Sequence, residues 1–139
     1  MSSQDLARVL DVSVRIQTME MPGLLAMPRE GHGIVLFAHG SGSSRLSPRN
    51  QYVASILQRE GLGTLLFDLL SERESVDRER VFDIALLADR LIGATEWLNR
   101  YPGLAGSTVG YLGASTGAAA ALVAAAQRPD RVLAVVSRG

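Results

Sequence analysis

The chain alternates between short apolar runs and amphipathic stretches in a regular order. Val12-Ser13-Val14-Arg15-Ile16-Gln17 alternates apolar and polar residues, the pattern of a half-buried strand at a sheet edge. Met21-Pro22-Gly23 reads as a turn, and Leu24 to Met27 as a second short strand that Pro28 helps to end. Gly33 to His39 is continuously apolar, as a strand covered on both faces should be. After a polar loop, Ser47-Pro48 starts a helix, with Ser as N-cap and Pro in the first turn. Val53, Ile56 and Leu57 share one face of that helix, and Gly61 ends it. Leu62 to Phe67 is a further buried strand that stops at Asp68.

Residues 72–80 carry four acids and three bases, which reads as a solvated loop or helix start and not as a binding patch. From Ile84 to Leu98, apolar residues recur at steps of three and four and predict one long amphipathic helix ended by Tyr101-Pro102-Gly103. Thr108 to Leu112 is a strand, Ala118 to Ala126 an alanine-rich helix, Arg128-Pro129-Asp130 a turn and Val132 to Val136 a last apolar strand. From Gly33 onward the order is strand, helix, strand, helix, strand, helix, strand. That order predicts an α/β fold: a mostly parallel sheet with helices on both faces and an antiparallel N-terminal edge. No internal repeat or linker divides the chain, so residues 1–139 are expected to form one domain.

Composition narrows the chemistry. Lys+Arg and Asp+Glu are both 14, so no net field draws in nucleic acid or an anionic membrane. Cysteine is absent, which excludes disulfides, thiolate metal sites and a cysteine nucleophile. The two histidines, His32 and His39, have no HExxH-type spacing, and a zinc site built on them would need carboxylates from elsewhere. The N-terminal residues lack the apolar core of a signal peptide, and no apolar run approaches the ~20 residues of a membrane span. A cytoplasmic location is the resulting expectation.

One motif carries chemistry. Gly113-Ala114-Ser115-Thr116-Gly117 matches G-x-S-x-G between a strand and a helix, the context of a nucleophile elbow. Gly113 and Gly117 remove side chains from a very tight turn, the turn lifts Ser115 above the sheet, and the helix N-terminus favours developing negative charge. Two plainer readings stand beside it. One makes Ser115 a simple N-cap; the other has the glycines cradle a phosphate or nucleotide, although the spacing departs from G-x-G-x-x-G.

A second motif, His39-Gly40-Ser41-Gly42 after the buried strand, precedes the Ser47-Pro48-Arg49-Asn50 helix start and the elbow. Taken together these resemble the dienelactone-hydrolase-like branch of the α/β-hydrolase superfamily, from about Val12 to Gly139. The resemblance implies a serine hydrolase of esterase type acting on an ester or similar acyl bond of a small molecule, with neither a metal nor an organic cofactor. Ser115 would be the nucleophile, and the backbone N–H groups of Ser41 and Thr116 the oxyanion donors. His39, Gly40, Gly113 and Gly117 would support the loops. Dienelactone hydrolases proper use cysteine where this chain has Ser115. Arg45 and Arg49 flank the expected pocket, and Arg45 is a candidate for a substrate carboxylate. Asp68 is expected to anchor a loop.

The triad of this fold runs Ser, then Asp or Glu, then His. Twenty-four residues follow Ser115 in the 139-residue chain, with Asp130 as their sole acid and no histidine. The expectation is therefore an incomplete hydrolase domain without its C-terminal strands, inactive alone because a neutral serine hydroxyl needs a base. His39 is the one histidine near enough in the fold to substitute. A last strand buried on both faces would lie at a sheet edge and invite self-association or a complementing C-terminal segment. The alternative is a non-catalytic binding or assembly module that keeps the hydrolase fold.

Overall fold

The computed structural model describes residues 8–138; residues 1–7 and 139, and with them most of the polar N-terminal segment read above, lie outside the described residues. Six strands form one sheet: β1 (Val9–Ile16), β2 (Met19–Ala26), β3 (Ile34–Ala38), β4 (Gly63–Phe67), β5 (Val109–Ala114) and β6 (Val132–Arg138). Their spatial order is β1-β2-β4-β3-β5-β6. β4, β3, β5 and β6 run parallel, while β2 lies antiparallel to both β1 and β4. The expected α/β architecture with an antiparallel N-terminal edge is what the chain adopts.

The helices are α1 (Pro48–Arg59), α2 (Glu72–Ser75), α3 (Arg78–Val81), α4 (Ile84–Arg100) and α5 (Thr116–Gln127). α1 begins where its sequence signals a start: the Ser47 side chain accepts from Asn50 N–H, and Pro48 occupies the first turn. Gly61, at φ +92°, turns the chain back into β4. The parallel strands need crossovers, and α1, α4 and α5 supply them on both faces. On one face Ala54 of α1 packs with Phe37 and Leu66. On the other, Leu87, Leu91, Ala94 and Leu98 of α4 and Ala120, Ala121 and Ala124 of α5 pack with Leu36, Leu65 and Tyr111. The alanines of α5 keep that helix close to the sheet.

Three expectations needed correction. Met21-Pro22-Gly23 is not a turn but lies inside β2; the hairpin turns at Gln17-Thr18, with Gln17 at φ +56°. Pro22 is tolerated there because its carbonyl accepts from Asp68 N–H, on the side away from β1 and just past the end of the β2–β4 ladder. Its missing N–H points away from β1, so the β1–β2 ladder loses no bond. Residues 72–80 form two short helices, and Glu74 among them is buried, not solvated. β6 is not buried on both faces either. Among the described residues of β6 only Val132 is enclosed; Leu133 is 77% and Val136 58% exposed, because α5 packs on the strand and no other described helix covers its far face.

Candidate active site

β5 ends at Ala114, and α5 begins at Thr116. The single residue between them, Ser115, has φ +57° and ψ −123°. That is the backbone of a mirror-image turn position normally occupied by glycine. Held there, Ser115 is exposed above the sheet end, and its side chain makes no capping bond to the helix. The plain N-cap reading therefore fails. The backbone locks the geometry: Ser115 N–H donates to Arg138 O at 3.0 Å, and Ala118 N–H donates to Ser115 O at 2.9 Å.

The motif glycines are required by contact. A Cβ on Gly113 would sit 2.5 Å from the Gly117 carbonyl oxygen. One on Gly117 would collide with the carbonyls of Ala38 and His39. The start of α5 is thus pressed against the end of β3, which is how the elbow and the His39 loop come together. A Cβ on Gly40 would lie 3.0 Å from that of Ser115, so this loop passes directly beside the serine.

Ser41 and Thr116 line one cavity of about 20 Å³ together with His39, Gly40 and Leu70. That volume suits one oxygen atom of water size. Neither the Ser41 nor the Thr116 amide donates to another group among the described residues. The structure thus brings Ser115, Ser41, Thr116, His39 and Gly40 to one spot.

His39 is almost fully buried and doubly engaged. Its Nε2 accepts from Leu69 N–H at 3.0 Å, so the proton sits on Nδ1, which donates to Gly40 O at 2.9 Å. Burial pushes its pKa below the usual 6.5, opposed by the Gly40 bond and the charge of Asp68. Both nitrogens serve the loop, and neither is free to take a proton from Ser115. His39 as substitute base is therefore set aside.

Arg45 also differs from its expectation. Its amide and its Nη1 both bind the Asp68 carboxylate, each at 2.8 Å, so its guanidinium anchors the loop and is not held out to a substrate. Asp68 is the loop anchor anticipated from its place at the end of β4. Arg49 is exposed. Among the described residues no cluster of His, Cys, Asp and Glu is arranged to hold a metal, and no helix is long and apolar enough to cross a membrane.

Two supports of the site escaped the sequence reading. Arg90 of α4 reaches Glu74 with two bonds of 2.8 and 2.7 Å and donates to Leu69 O at 3.0 Å. The Arg90 bond holds the Glu74 carboxyl down at about 2, against its own burial. Because Leu69 also binds His39, this pair braces the His39 loop from behind. Separately, Arg138 at the end of β6 donates to Asn50 Oδ1 at 2.9 Å and ties β6 to the start of α1. Each joins residues far apart in the chain, and a charged residue within a mixed-charge run gives no local sign of its partner.

No family profile matches the chain. Over 129 residues it is 56% identical to proteins of two Mycobacterium tuberculosis strains provisionally named as phosphoribosyl transferases, matching 93% of this chain but 29% of theirs. The chain therefore spans less than a third of those relatives. Among solved structures, a dienelactone hydrolase from Anabaena variabilis superimposes with a TM-score of 0.89 at 56% identity, over 95% of this chain and 63% of that one. An esterase from Pyrococcus furiosus, at 20% identity and a TM-score of 0.74, shares the fold over 99% of this chain and 52% of its own.

Proposed function

From a chain that has the α/β-hydrolase fold and resembles dienelactone hydrolase over 95% of its length, we propose a serine hydrolase that cleaves an ester or similar acyl bond in a small molecule. The observation that carries this reading is the backbone of Ser115, at φ +57° and ψ −123°, between β5 and α5. A serine in that conformation costs on the order of 1–3 kcal/mol, and strain of this kind clusters at active sites.

In the proposed reaction Ser115 Oγ attacks the acyl carbon and its proton passes to a base. The carbonyl oxygen becomes an oxyanion beside the amides of Ser41 and Thr116, at the positive end of α5. The alcohol leaves with a proton, and water then releases the acid from the acyl-serine. The described residues hold no base for the first step, since His39 is engaged and His32 lies beside Gly61, next to the end of α1. We read residues 1–139 as one incomplete hydrolase domain, with the base and its acid supplied from outside it. The transferase name of the Mycobacterium tuberculosis relatives does not oppose this, because most of their length lies outside the match.

The test is labelling with a serine-directed fluorophosphonate, read by peptide mass spectrometry. An adduct on Ser115 that disappears in Ser115→Ala supports the hydrolase. Absence of labelling, in folded protein that carries the base together with residues 1–139, sinks it.

A second reading, a non-catalytic assembly module, is favoured by one feature. Leu133 and Val136 are exposed apolar side chains on an edge strand whose one pairing partner among the described residues is β5. It expects a dimer or larger species in sedimentation that dissociates in Val136→Lys.

A further inference from the structure

A second concave site lies at the opposite end of α5 from Ser115, about 18 Å away along the helix. It encloses about 340 Å³, in the range of small-ligand sites. Its wall holds Arg100 from the last turn of α4, Arg128 at the end of α5 and Arg131 just before β6, with Asn99, Glu96 and Thr95. We infer that this pocket binds a phosphate group, as the free ion or as the terminal phosphate of a small ester.

The donor balance points to an anion. Thr95 Oγ1 donates to Leu91 O and is paired with the Tyr111 hydroxyl, so the floor is internally satisfied. Asn99 Oδ1 accepts from Gly106 N–H, which leaves its NH2 group as a donor. Glu96 is the one carboxylate in the wall. It meets Arg128 at 3.5 Å with both side chains largely solvated, a pair that yields readily to a competing anion. Three guanidinium groups against one carboxylate leave a net charge of +2, which a phosphate dianion neutralises. Guanidinium forks match phosphate oxygens two at a time.

Helix C-termini account for arginines at the ends of α4 and α5. They do not account for Arg131, which belongs to neither helix. Its Nη2 is shut away from solvent with no acceptor among the described residues. A buried guanidinium nitrogen without an acceptor is rare and costly. Arg131 lines the pocket, and a phosphate oxygen bound there would face its guanidinium.

The test is titration calorimetry of the protein with inorganic phosphate and with glycerol 3-phosphate, chloride holding ionic strength constant. Saturable one-site binding is expected, weakened about tenfold in Arg100→Gln and in Arg131→Gln and strengthened in Glu96→Gln. Arg100 is exposed, so its variant carries the test if Arg131→Gln fails to fold. Tighter binding of the ester assigns the site to phosphate esters; equal or weaker binding assigns it to the free ion. No saturable heat from either ligand, or arginine variants that bind as well as the parent, overturns the inference. The pocket stands apart from Ser115, so this result is independent of the phosphonate labelling.

Discussion

Replacing Ser115 by glycine should stabilise this protein relative to replacing it by alanine, the reverse of the ordinary order. At an unstrained position glycine is the worse choice by about 0.5–1 kcal/mol, because it loses more backbone freedom on folding. At φ +57° and ψ −123° any side chain carries a penalty on the order of 1–3 kcal/mol, which glycine removes and alanine keeps. The Ser115 side chain makes no capping bond, so loss of the hydroxyl adds little in either variant. The balance leaves Ser115→Gly more stable than Ser115→Ala by about 1 kcal/mol, or roughly 4 °C in melting temperature for a domain of this size. Urea unfolding of the two variants side by side, with a shared slope, resolves that difference. Both variants should also lose any phosphonate adduct, but only the glycine variant is relieved of the backbone strain. If alanine is as stable as glycine at this position, the backbone strain is not real and the elbow argument loses its physical basis.

Other consequences follow from the same contacts. Gly117→Ala drives a methyl into the Ala38 and His39 carbonyls and should cost about 3 kcal/mol or more, visible as a large fall in melting temperature or loss of soluble protein. Lowering pH should destabilise the protein in two stages. His39 favours its neutral form in the fold, so its contribution is complete above 6.5 and is lost as pH falls through its depressed value. Glu74, held at about 2 against an ordinary 4.5, contributes about 3 kcal/mol above 4.5 that disappears as pH falls toward 2. Glu74→Gln should abolish that second stage and cost about 3–5 kcal/mol at neutral pH, since Arg90 is left buried without its counter-charge; chemical denaturation across pH reads both effects. Asp68→Ala should release the Arg45 amide and guanidinium, raising amide exchange in the 40–47 loop at a cost of about 1–2 kcal/mol.

The element order, the parallel α/β class and the tight turn at Ser115 were legible in the sequence because each is written in local pattern. Continuous apolar runs mark β3, β4 and β5; the three-and-four spacing marks α4; Ser47-Pro48 marks the start of α1; and two glycines flanking Ala114-Ser115-Thr116 mark a turn that tolerates nothing larger. Tertiary structure alone decided the rest. The order β1-β2-β4-β3-β5-β6 depends on which strand edges meet, and β2 absorbs Met21-Pro22-Gly23 because β1 and β4 flank it. Whether an arginine is a free ligand hook or a loop anchor depends on a partner elsewhere in the chain: Asp68 for Arg45, Glu74 for Arg90, none among the described residues for the buried nitrogen of Arg131. Burial follows the same rule, since the apolar residues of β6 are enclosed only where α5 lies over them. Steric turns and periodicity act over a few residues and can be read from them; charge pairing and burial are settled by neighbours that only the fold brings near.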